Sequence, residues 1–308
     1  MYITEKQVAE NLSVKECVEI LRKALALDYL NIPRYRLRSE NSILHVMSAS
    51  IPQLGIMGLK AYGVSRLGGN FVVLLFDEKS GSLMATFEAD AMGQIRTGAA
   101  SGLATDELAV RDAKIGAVIG TGYQAETQLL AIDAVRSFEL IRIYSRSEEN
   151  RKTFIQKLQP KVRAKLVESN TAEECVAEAD VICTMTSAKE PVLFGKWLKA
   201  GAHVNAAGVN WANKREIDDE TVRRATLIVV DNIEQSKIES GDLIHVFNQD
   251  DWSRVVELRD VLRGKVPKRF RQDITLFKSN GIAAEDIATA LHVYHKIDQS
   301  KAPGVTIV

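Results

Sequence analysis

The sequence has few cysteines, no excess of charge of either sign and no long apolar run. Its three cysteines, Cys17, Cys175 and Cys183, have neither metal nor redox spacing, and each lies in an apolar pattern. This spacing predicts reduced core cysteines and no metal site. Forty basic and forty acidic side chains give a formal net charge of +0. A balanced charge argues against a nucleic-acid surface or an acidic tail, and it favours small-molecule partners.

No apolar run approaches the roughly 20 residues that a membrane-spanning helix needs. Residues 1–13 lack the pattern of a signal peptide, so we expect a cytoplasmic enzyme. The chain has 308 residues, of which 46% are hydrophobic. This length exceeds what one hydrophobic core usually supports, which predicts two domains.

The most informative pattern present is KIGAVIGTGYQA, at residues 114–125. Residues 115–119 have the composition of a strand buried on both faces, and they lead directly into G-x-G-x-x-A. Gly120 permits a tight turn, Gly122 leaves room for backbone N–H groups to reach phosphate oxygens, and Ala125 allows close helix packing. The segment therefore predicts a dinucleotide pyrophosphate at a helix N-terminus. A strand-to-helix turn without a ligand is the alternative.

The region before this motif predicts a helix, an antiparallel meander and a longer helix. Ser13 and Glu16 match a capping box, and the helix that follows is predicted to end near residues 31–33. Four extended segments are predicted at residues 43–47, 56–62, 71–77 and 84–88, with a turn at 78–81. Residues 89–109 predict a helix whose glycines indicate close packing, since each costs about 1 kcal/mol in a helix.

Strands and helices alternate after the motif. Strands are predicted at residues 114–119, 140–144, 165–167, 181–184, 203–206 and 227–230, and a last helix at 281–298. This alternation predicts an α/β protein with a Rossmann doubly wound parallel sheet domain, plus a smaller α+β domain for substrate binding and dimerisation. We predict the Rossmann domain at 110–284 and the smaller domain at 1–109, with residues 285–308 packing back on it.

The end of the second predicted strand bears on the choice of cofactor. In NAD-preferring domains an acidic residue about 20 residues after the glycines binds the ribose 2′-OH. Here that position carries Ser145, Arg146 and Ser147, and residues 148–149, both Glu, lie in the next helix. Arg146 can bind a 2′-phosphate bidentately, which favours NADPH, with NAD as the other possibility. Alternatively, Arg146 is a solvated surface residue.

Several further motifs resemble the ornithine cyclodeaminase/mu-crystallin family over nearly the full chain. The segment at 94–102, QIRTGAASG, resembles that family's RTGAA helix, and GLK at 58–60 resembles its lysine strand. Pro33-Arg34 matches its early arginine. TLFKSNG at 275–281 and Glu285-Asp286 match its closing segment.

The resemblance implies functions for three cationic residues. Family members include cyclodeaminases that convert ornithine to proline with bound NAD, alanine dehydrogenases and ketimine or cyclic imine reductases. In such a site Arg34, Lys60 and Arg96 would converge on the carboxylate of an amino or imino acid and hold its α-carbon over the nicotinamide C4. Lys60 and Arg96 lie in apolar surroundings, where a cation needs an anionic partner. The alternatives are a strand-edge Lys60 and an exposed Arg34 in a turn.

Two departures from the cyclodeaminases favour reductase-type members. Where they carry an aspartate, matching places Asn210, which cannot accept a proton as a carboxylate does. Asn210 can still hydrogen-bond an imine nitrogen, a carboxamide or a water. The connection from Lys60 to Phe71 is also shorter than the corresponding loop of the cyclodeaminases.

His45 is a candidate for supplying or relaying a proton. Strand alternation places it on the same face as Met47. The alternative is a structural histidine at the edge of a core. Lys60 is the rival proton donor if the site lowers its pKa.

These observations predict a reductase or dehydrogenase that transfers hydride between NAD(P)H and a small α-imino or α-keto acid. Such an enzyme would be a ketimine or cyclic imine reductase, or alanine-dehydrogenase-like. A cyclodeaminase-type lyase with bound NAD and a non-catalytic NADPH- or ligand-binding protein stay open as alternatives. The resemblance implies a homodimer. The predicted cofactor-binding residues are Gly120, Thr121, Gly122, Tyr123, Gln124, Ala125, Ser145, Arg146, Ser147, Thr97, Met185, Thr186, Lys214 and Ser279.

Overall fold

The computed structural model describes residues 1–266 and 269–298, which form two compact units. Unit 1 comprises Met1–Arg96 and the described residues from Gly281 onward, and unit 2 comprises Thr97–Asn280. The predicted domain boundaries at 109/110 and 284/285 stay predictions. Residues 299–308, predicted to pack on the smaller domain, lie outside the described residues.

Unit 1 begins with short helices and continues as a sheet. In chain order its elements are β1 (Tyr2–Ile3), α1 (Glu5–Asn11), α2 (Val14–Leu25), β2 (Leu30–Arg38), β3 (Ser42–Ile51), β4 (Ile56–Ser65), β5 (Gly68–Asp77), β6 (Leu83–Glu88) and α3 (Asp90–Leu108). The boundary between the units falls within α3.

The six strands of unit 1 are ordered β1-β6-β5-β4-β3-β2. Strands β2 to β6 pair antiparallel in sequence, which confirms the predicted meander, and β1 adds in parallel to β6. The buried face carries Met47, Ile56, Val73 and Phe87, each no more than 1% exposed. Successive side chains of a strand point to opposite faces of the sheet, so the intervening residues lie on the other face.

The predicted end of the first helix was wrong. Ser13 caps α2 by accepting a hydrogen bond from the Glu16 amide at 3.2 Å, but the helix ends at Leu25. Residues 30–38 form β2, an edge strand paired only with β3. Pro33 can lie there because an edge strand leaves one side of its backbone unpaired, so the missing N–H of proline removes no ladder bond.

Unit 2 alternates strands and helices. Its elements after α3 are β7 (Ile115–Ile119), α4 (Tyr123–Val135), β8 (Leu140–Tyr144), α5 (Glu148–Leu158), β9 (Lys165–Glu168), α6 (Ala172–Val176), β10 (Val181–Thr184), β11 (His203–Ala206), α7 (Asp219–Arg224), β12 (Leu227–Val230), α8 (Ile233–Glu239), α9 (Gly241–Ile244), β13 (Val255–Glu257), α10 (Leu258–Leu262) and β14 (Thr275–Lys278). Helix α11 (Ala283–Ile297) follows and belongs to unit 1, where it packs against α2 and strands β3 to β5.

The sheet of unit 2 is parallel, with the strand order β13-β12-β14-β11-β10-β7-β8-β9. This order confirms the predicted doubly wound fold, and it reverses between β7 and β10. Ligands of such sheets bind at the carboxyl ends of the strands beside that reversal. Strands β13 and β14 were not predicted as strands. Residues 275–278 were interpreted only as part of a family motif.

Cys17, Cys175 and Cys183 are free and buried, as predicted. Among the described residues, no helix combines the length and the apolar character that crossing a bilayer requires. Within residues 1–266 and 269–298, no group of three His, Cys, Asp or Glu side chains is arranged to hold a metal ion.

Candidate active site

Unit 1 contains a buried group of charged side chains, which we call the cation cluster: Arg34, Lys60, Arg96, Glu285 and Asp286. Lys60 Nζ lies 2.9 Å from Asp286 Oδ1, and Arg96 Nε lies 3.0 Å from the same oxygen. Arg96 Nη1 is 2.8 Å from Glu285 Oε2. Arg34 Nη2 donates to the Gly281 carbonyl at 3.1 Å. The structure therefore brings together the three cations that the sequence singled out.

Two glycines make room for these cations. A Cβ at Gly93 would lie 2.8 Å from Lys60 Nζ, and a Cβ at Gly281 would lie 2.5 Å from Arg96 Nη1. Gly281 also has φ of +76°, a left-handed conformation that favours glycine. The closing motif predicted from the sequence therefore has a steric function, because it lets the backbone approach the Arg96 guanidinium.

Arg34 reaches the buried face of the sheet through a β-bulge. The register of β2 against β3 shifts between Ile32 and Tyr35, so one extra residue lies on β2. A bulge of this kind exchanges which residues face each side of the sheet. As a result Ile32 and Tyr35 are both exposed, and Arg34 is buried at 7% exposure. The alternative of an exposed Arg34 in a turn was wrong.

Lys60 lies in β4, between Met47 of β3 and Val73 of β5 in the register. It is only 3% exposed, so it is not a strand-edge lysine with a solvated amine. Burial lowers its pKa, and the neighbouring Asp286 carboxylate opposes part of that effect. Its ammonium therefore gives up a proton more readily than that of an ordinary lysine.

The two carboxylates of the cluster lie in the first turn of α11, where the helix dipole favours negative charge. Burial alone would raise the pKa of Asp286, but the charges of Arg96 and Lys60 outweigh it and hold that pKa below its ordinary value. These acids are the anionic partners that the buried cations need. The sequence argument that this need points to a ligand was therefore incomplete. The five ionised side chains still carry a net charge of +1.

His45 is buried on the same sheet face as Lys60, since it pairs with Tyr62 in the register and Met47 pairs with Lys60. Its ring stacks on Tyr62 with centroids 4.3 Å apart and an interplanar angle of 4°. Burial, and then the charges of residues 34, 36 and 38, all Arg, lower the pKa of His45 to about 4. The imidazole is therefore neutral near pH 7, and its part in proton transfer stays a prediction.

Unit 2 contains a cavity of about 940 Å³ at the carboxyl ends of β7, β8 and β10. Predicted cofactor residues that line it are Gly120, Thr121, Gly122, Tyr123, Gln124, Ser145, Arg146, Ser147, Met185 and Thr186. Ala125 is fully buried in the first turn of α4, as expected for a residue that lets the helix pack closely on the strand.

The turn that leads into α4 fits a dinucleotide. Gly120 has φ of +120°, and a Cβ there would lie 2.1 Å from the Met185 carbonyl oxygen. Gly122 caps α4, and a Cβ at Gly122 would meet no atom within 4 Å, so this position faces open space. Gln124 Oε1 is buried without a hydrogen-bond partner among the described residues. Open space at a helix N-terminus, where the helix dipole favours negative charge, suits a pyrophosphate.

The tip of β8 also lines the cavity. Thr121 Oγ1 donates to Ser145 Oγ at 2.9 Å, and Ser147 caps α5 by accepting from the Asn150 amide. Arg146 is exposed. The tip thus presents hydroxyls and a guanidinium where a carboxylate would bind a ribose 2′-OH.

Four predicted site residues of unit 2 do not line this cavity. The Thr97 carbonyl on α3 accepts from Gln128 Nε2 at 3.1 Å, and Ser279 donates to Asp231 Oδ2 at 3.3 Å. Lys214 lies in a turn, and Asn210 is half-buried in the loop after β11. Their functions stay predictions.

Sequence reasoning missed Glu216, which is fully buried in unit 2 and accepts hydrogen bonds from two loops that line this cavity. No local pattern marks this residue. Glu285 and Asp286 were matched to the family motif without a function. Two adjacent acids that open an apolar helix were the signal that could have identified them as counterions.

The chain is similar to known proteins over most of its length. The family model described as "Ornithine cyclodeaminase/mu-crystallin family" matches residues 1–301. Ketimine reductase mu-crystallin of Mus musculus is 37% identical over 229 residues, covering 74% of this chain and 70% of the relative. Delta(1)-pyrroline-2-carboxylate reductase of Bacillus cereus is 34% identical over 271 residues, covering 84% and 82%.

A solved structure is also similar over nearly the whole chain. Thermococcus litoralis Delta(1)-pyrroline-2-carboxylate reductase in complex with NADH and L-proline has a TM-score of 0.91 and 30% identity, covering 97% of this chain and 98% of that one. These relatives confirm the predicted enzyme class, an NAD(P)-dependent oxidoreductase for imino or keto acids. The chain belongs to the ornithine cyclodeaminase/mu-crystallin family.

Proposed function

We propose that this enzyme reduces a small cyclic α-imino acid, of the pyrroline-2-carboxylate type, to the corresponding cyclic amino acid. The observation that carries the proposal is the net charge of +1 in the buried cation cluster, which matches a single substrate carboxylate. The ketimine and pyrroline-2-carboxylate reductases among the relatives support an imine as the reacting group. L-proline in the similar structure supports a cyclic product.

Arg34, Lys60 and Arg96 would bind the carboxylate through charge-assisted hydrogen bonds, which fix the position of the adjacent C=N bond. When bound, the nicotinamide supplies the hydride that the imine carbon accepts. The imine nitrogen needs one proton to give the amine. Lys60, whose pKa is lowered by burial, would hold that proton, and His45 is the alternative donor.

The decisive experiment is a steady-state assay that follows NADPH absorbance with pyrroline-2-carboxylate, piperideine-2-carboxylate, and pyruvate with ammonia or methylamine. We expect the cyclic imines to give the highest kcat/KM. Ammonia release from ornithine, measured in parallel without net cofactor reduction, would instead assign the lyase function. Cofactor binding without turnover of any of these compounds would favour a non-catalytic binding protein.

We further propose that NADPH is preferred over NADH, because Arg146 lies at the cavity edge where NAD-preferring sites carry a carboxylate. Arg146→Ala should weaken NADPH binding by about tenfold to a hundredfold, the usual range for losing hydrogen bonds to a charged group. NADH binding should change by less than about threefold, since it has no 2′-phosphate for the guanidinium to bind. Isothermal titration of both cofactors measures this, with Arg66→Ala in an exposed hairpin as control. Equal losses of affinity for NADPH and NADH would contradict the proposed preference for NADPH.

The partner that we propose for unit 1 is a second copy of this chain. The outer face of the sheet presents a row of exposed apolar residues along β2 and β3: Leu30 (69%), Ile32 (61%), Tyr35 (63%), Leu37 (52%) and Leu44 (43%). Contiguous apolar patches of this kind mark association sites. Four of them also lie on β2, an edge strand, and proteins normally cover such strands. A self-complementary face of this sort is the common basis of a two-fold dimer.

Light scattering after gel filtration tests the dimer. Ile32→Asp combined with Leu37→Asp should convert the protein to a monomer, because two carboxylates would be buried without partners at the interface. Leu67→Asp is the matched control, since Leu67 is 100% exposed in the hairpin between β4 and β5. A wild-type protein that is monomeric at micromolar concentration would contradict the proposal.

A further inference from the structure

The buried Glu216 carboxylate forms hydrogen bonds with two loops that line the proposed cofactor cavity. Its Oε1 accepts hydrogen bonds from the Thr186 amide at 2.6 Å and from Thr186 Oγ1 at 2.8 Å. Its Oε2 accepts from the Gly208 amide at 2.7 Å. Thr186 follows β10 and Gly208 follows β11, and both line the cavity. One carboxylate thus holds the ends of two neighbouring strands in register.

The two loops pack tightly at this contact. A Cβ at Gly208 would lie 2.3 Å from the Thr186 amide nitrogen and 2.5 Å from Glu216 Oε1. Thr186 Oγ1 also accepts from the Ala188 amide at 3.2 Å, so the same contact orders the next residues of the β10 loop. Since Ala188 lines the cavity as well, the position of the Glu216 carboxylate determines the shape of this part of the wall.

Two other ionisable groups face Glu216, and both are fully buried. Asp242 on α9 accepts from the Glu216 amide at 2.7 Å, and its other oxygen lies 3.1 Å from Lys278 Nζ at the end of β14. Burial first, and then the Asp242 charge, raise the pKa of Glu216 to about 6, against the opposing charge of Lys278. The carboxylate is therefore ionised at neutral pH but becomes protonated in mildly acidic solution.

We propose that Glu216 is a positioning residue for the nicotinamide dinucleotide, and that its ionised form is the form that shapes the cavity for binding. The inference rests on the proposed cofactor function of this cavity. The ionised carboxylate accepts from both amides, whereas in a protonated carboxyl one oxygen becomes an O–H group, which is a weaker acceptor for the amide that it faces. An amide that is buried without an acceptor is costly, so the loop that carries it would move.

Glu216→Gln reproduces the protonated state at every pH, because its NH₂ group faces either Thr186 or Gly208. We expect this variant to bind NAD⁺ about tenfold to a hundredfold more weakly than the wild type at pH 8, which is the range for one buried donor left unsatisfied. NAD⁺ is the probe because it lacks the 2′-phosphate, whose own ionisation near pH 6 would confuse the measurement. Isothermal titration between about pH 5.5 and pH 8 supplies both affinity and its pH dependence.

A pH dependence of NAD⁺ affinity that the wild type shows and Glu216→Gln lacks would distinguish a positioning function of Glu216 from a general loss of stability. Wild-type affinity should fall as the pH decreases through about 6, and the affinity of Glu216→Gln should be low and flat. Glu173→Gln, an exposed change on α6, should follow the wild-type curve. Equal affinities of Glu216→Gln and wild type, or a shared pH profile, would overturn the inference. If the variant does not fold, a wild-type affinity that is constant through pH 6 would overturn it alone. A wild type that binds neither NAD⁺ nor NADPH would instead reject the proposed function.

Discussion

Lys60→Ala is expected to lower kcat/KM for the cyclic imino acid by about a thousandfold or more, since it removes a carboxylate contact and a proton source from a water-poor site. Cofactor affinity should stay within about threefold of wild type, because the residues that line the dinucleotide cavity all belong to unit 2. Steady-state kinetics and isothermal titration give the two values. Lys79→Ala, in the exposed turn after β5, is the matched control.

Lys60→Arg separates the two functions assigned to this residue. An arginine keeps the positive charge but holds its proton too strongly to donate it. If Lys60 both binds the carboxylate and supplies the proton, KM should change little and kcat should fall steeply. Normal kinetics in Lys60→Ala would reject the assignment altogether. If KM increased without any loss of kcat, the proton donor would instead be His45.

Asp286→Asn should decrease the free energy of unfolding by about 3–5 kcal/mol, the usual cost of leaving a buried charge without its partner. Asp286 is fully buried, and its Oδ1 contacts both Lys60 at 2.9 Å and Arg96 at 3.0 Å. The substitution raises the net charge of the cation cluster from +1 to +2. Urea denaturation at neutral pH measures the loss.

The pH dependence of this loss has a defined sign. The pKa of Asp286 is lower in the folded protein than its ordinary value, so its contribution to stability is present above about pH 4, the unfolded value. It disappears as the pH falls through the lower folded pKa. The stability difference between wild type and Asp286→Asn should therefore be full at neutral pH and shrink in strong acid.

A double variant provides the control for Asp286. Lys60→Met together with Asp286→Asn removes a cation and an anion at once, so Arg96 keeps Glu285 as its partner at 2.8 Å. The double variant should be more stable than Asp286→Asn alone. If the single variant lost less than about 1 kcal/mol, the carboxylate would not be compensating the buried cations.

Local patterns in the sequence were sufficient for most elements of unit 2. Strand β7, the turn at Gly120 and helix α4 follow from apolar composition, glycine placement and helix spacing, all of which act within about ten residues. Strand β14 was missed although it lies between β11 and β12. Residues 275–278 were interpreted only through the family motif, and the pairing of β14 with β11 and β12 joins residues that are distant in the sequence.

The candidate site was likewise only partly predictable from the sequence. Lys60 and Arg96 stood out because cations in apolar patterns are costly. Arg34 was identified from the family motif, which also indicated the shared target of the three cations. Asp286 compensates both Arg96 and Lys60, which lie 190 and 226 residues before it in the chain. The bulge that turns Arg34 inward depends on pairing between β2 and β3. A single inserted residue changes which side chains are buried, and the sequence contains no separate mark of it.

The sequence by itself therefore determined the doubly wound sheet, the glycine turn, and the cations Lys60 and Arg96, because each depends on neighbouring residues or on one residue type in an apolar setting. Arg34 was identified through a family motif. Only the tertiary structure decided which anions accompany those cations and that Glu216 holds two loops of the cavity through Thr186 and Gly208. Both are contacts between elements far apart in the chain. A buried charge must find a partner, and packing in three dimensions decides which partner it finds.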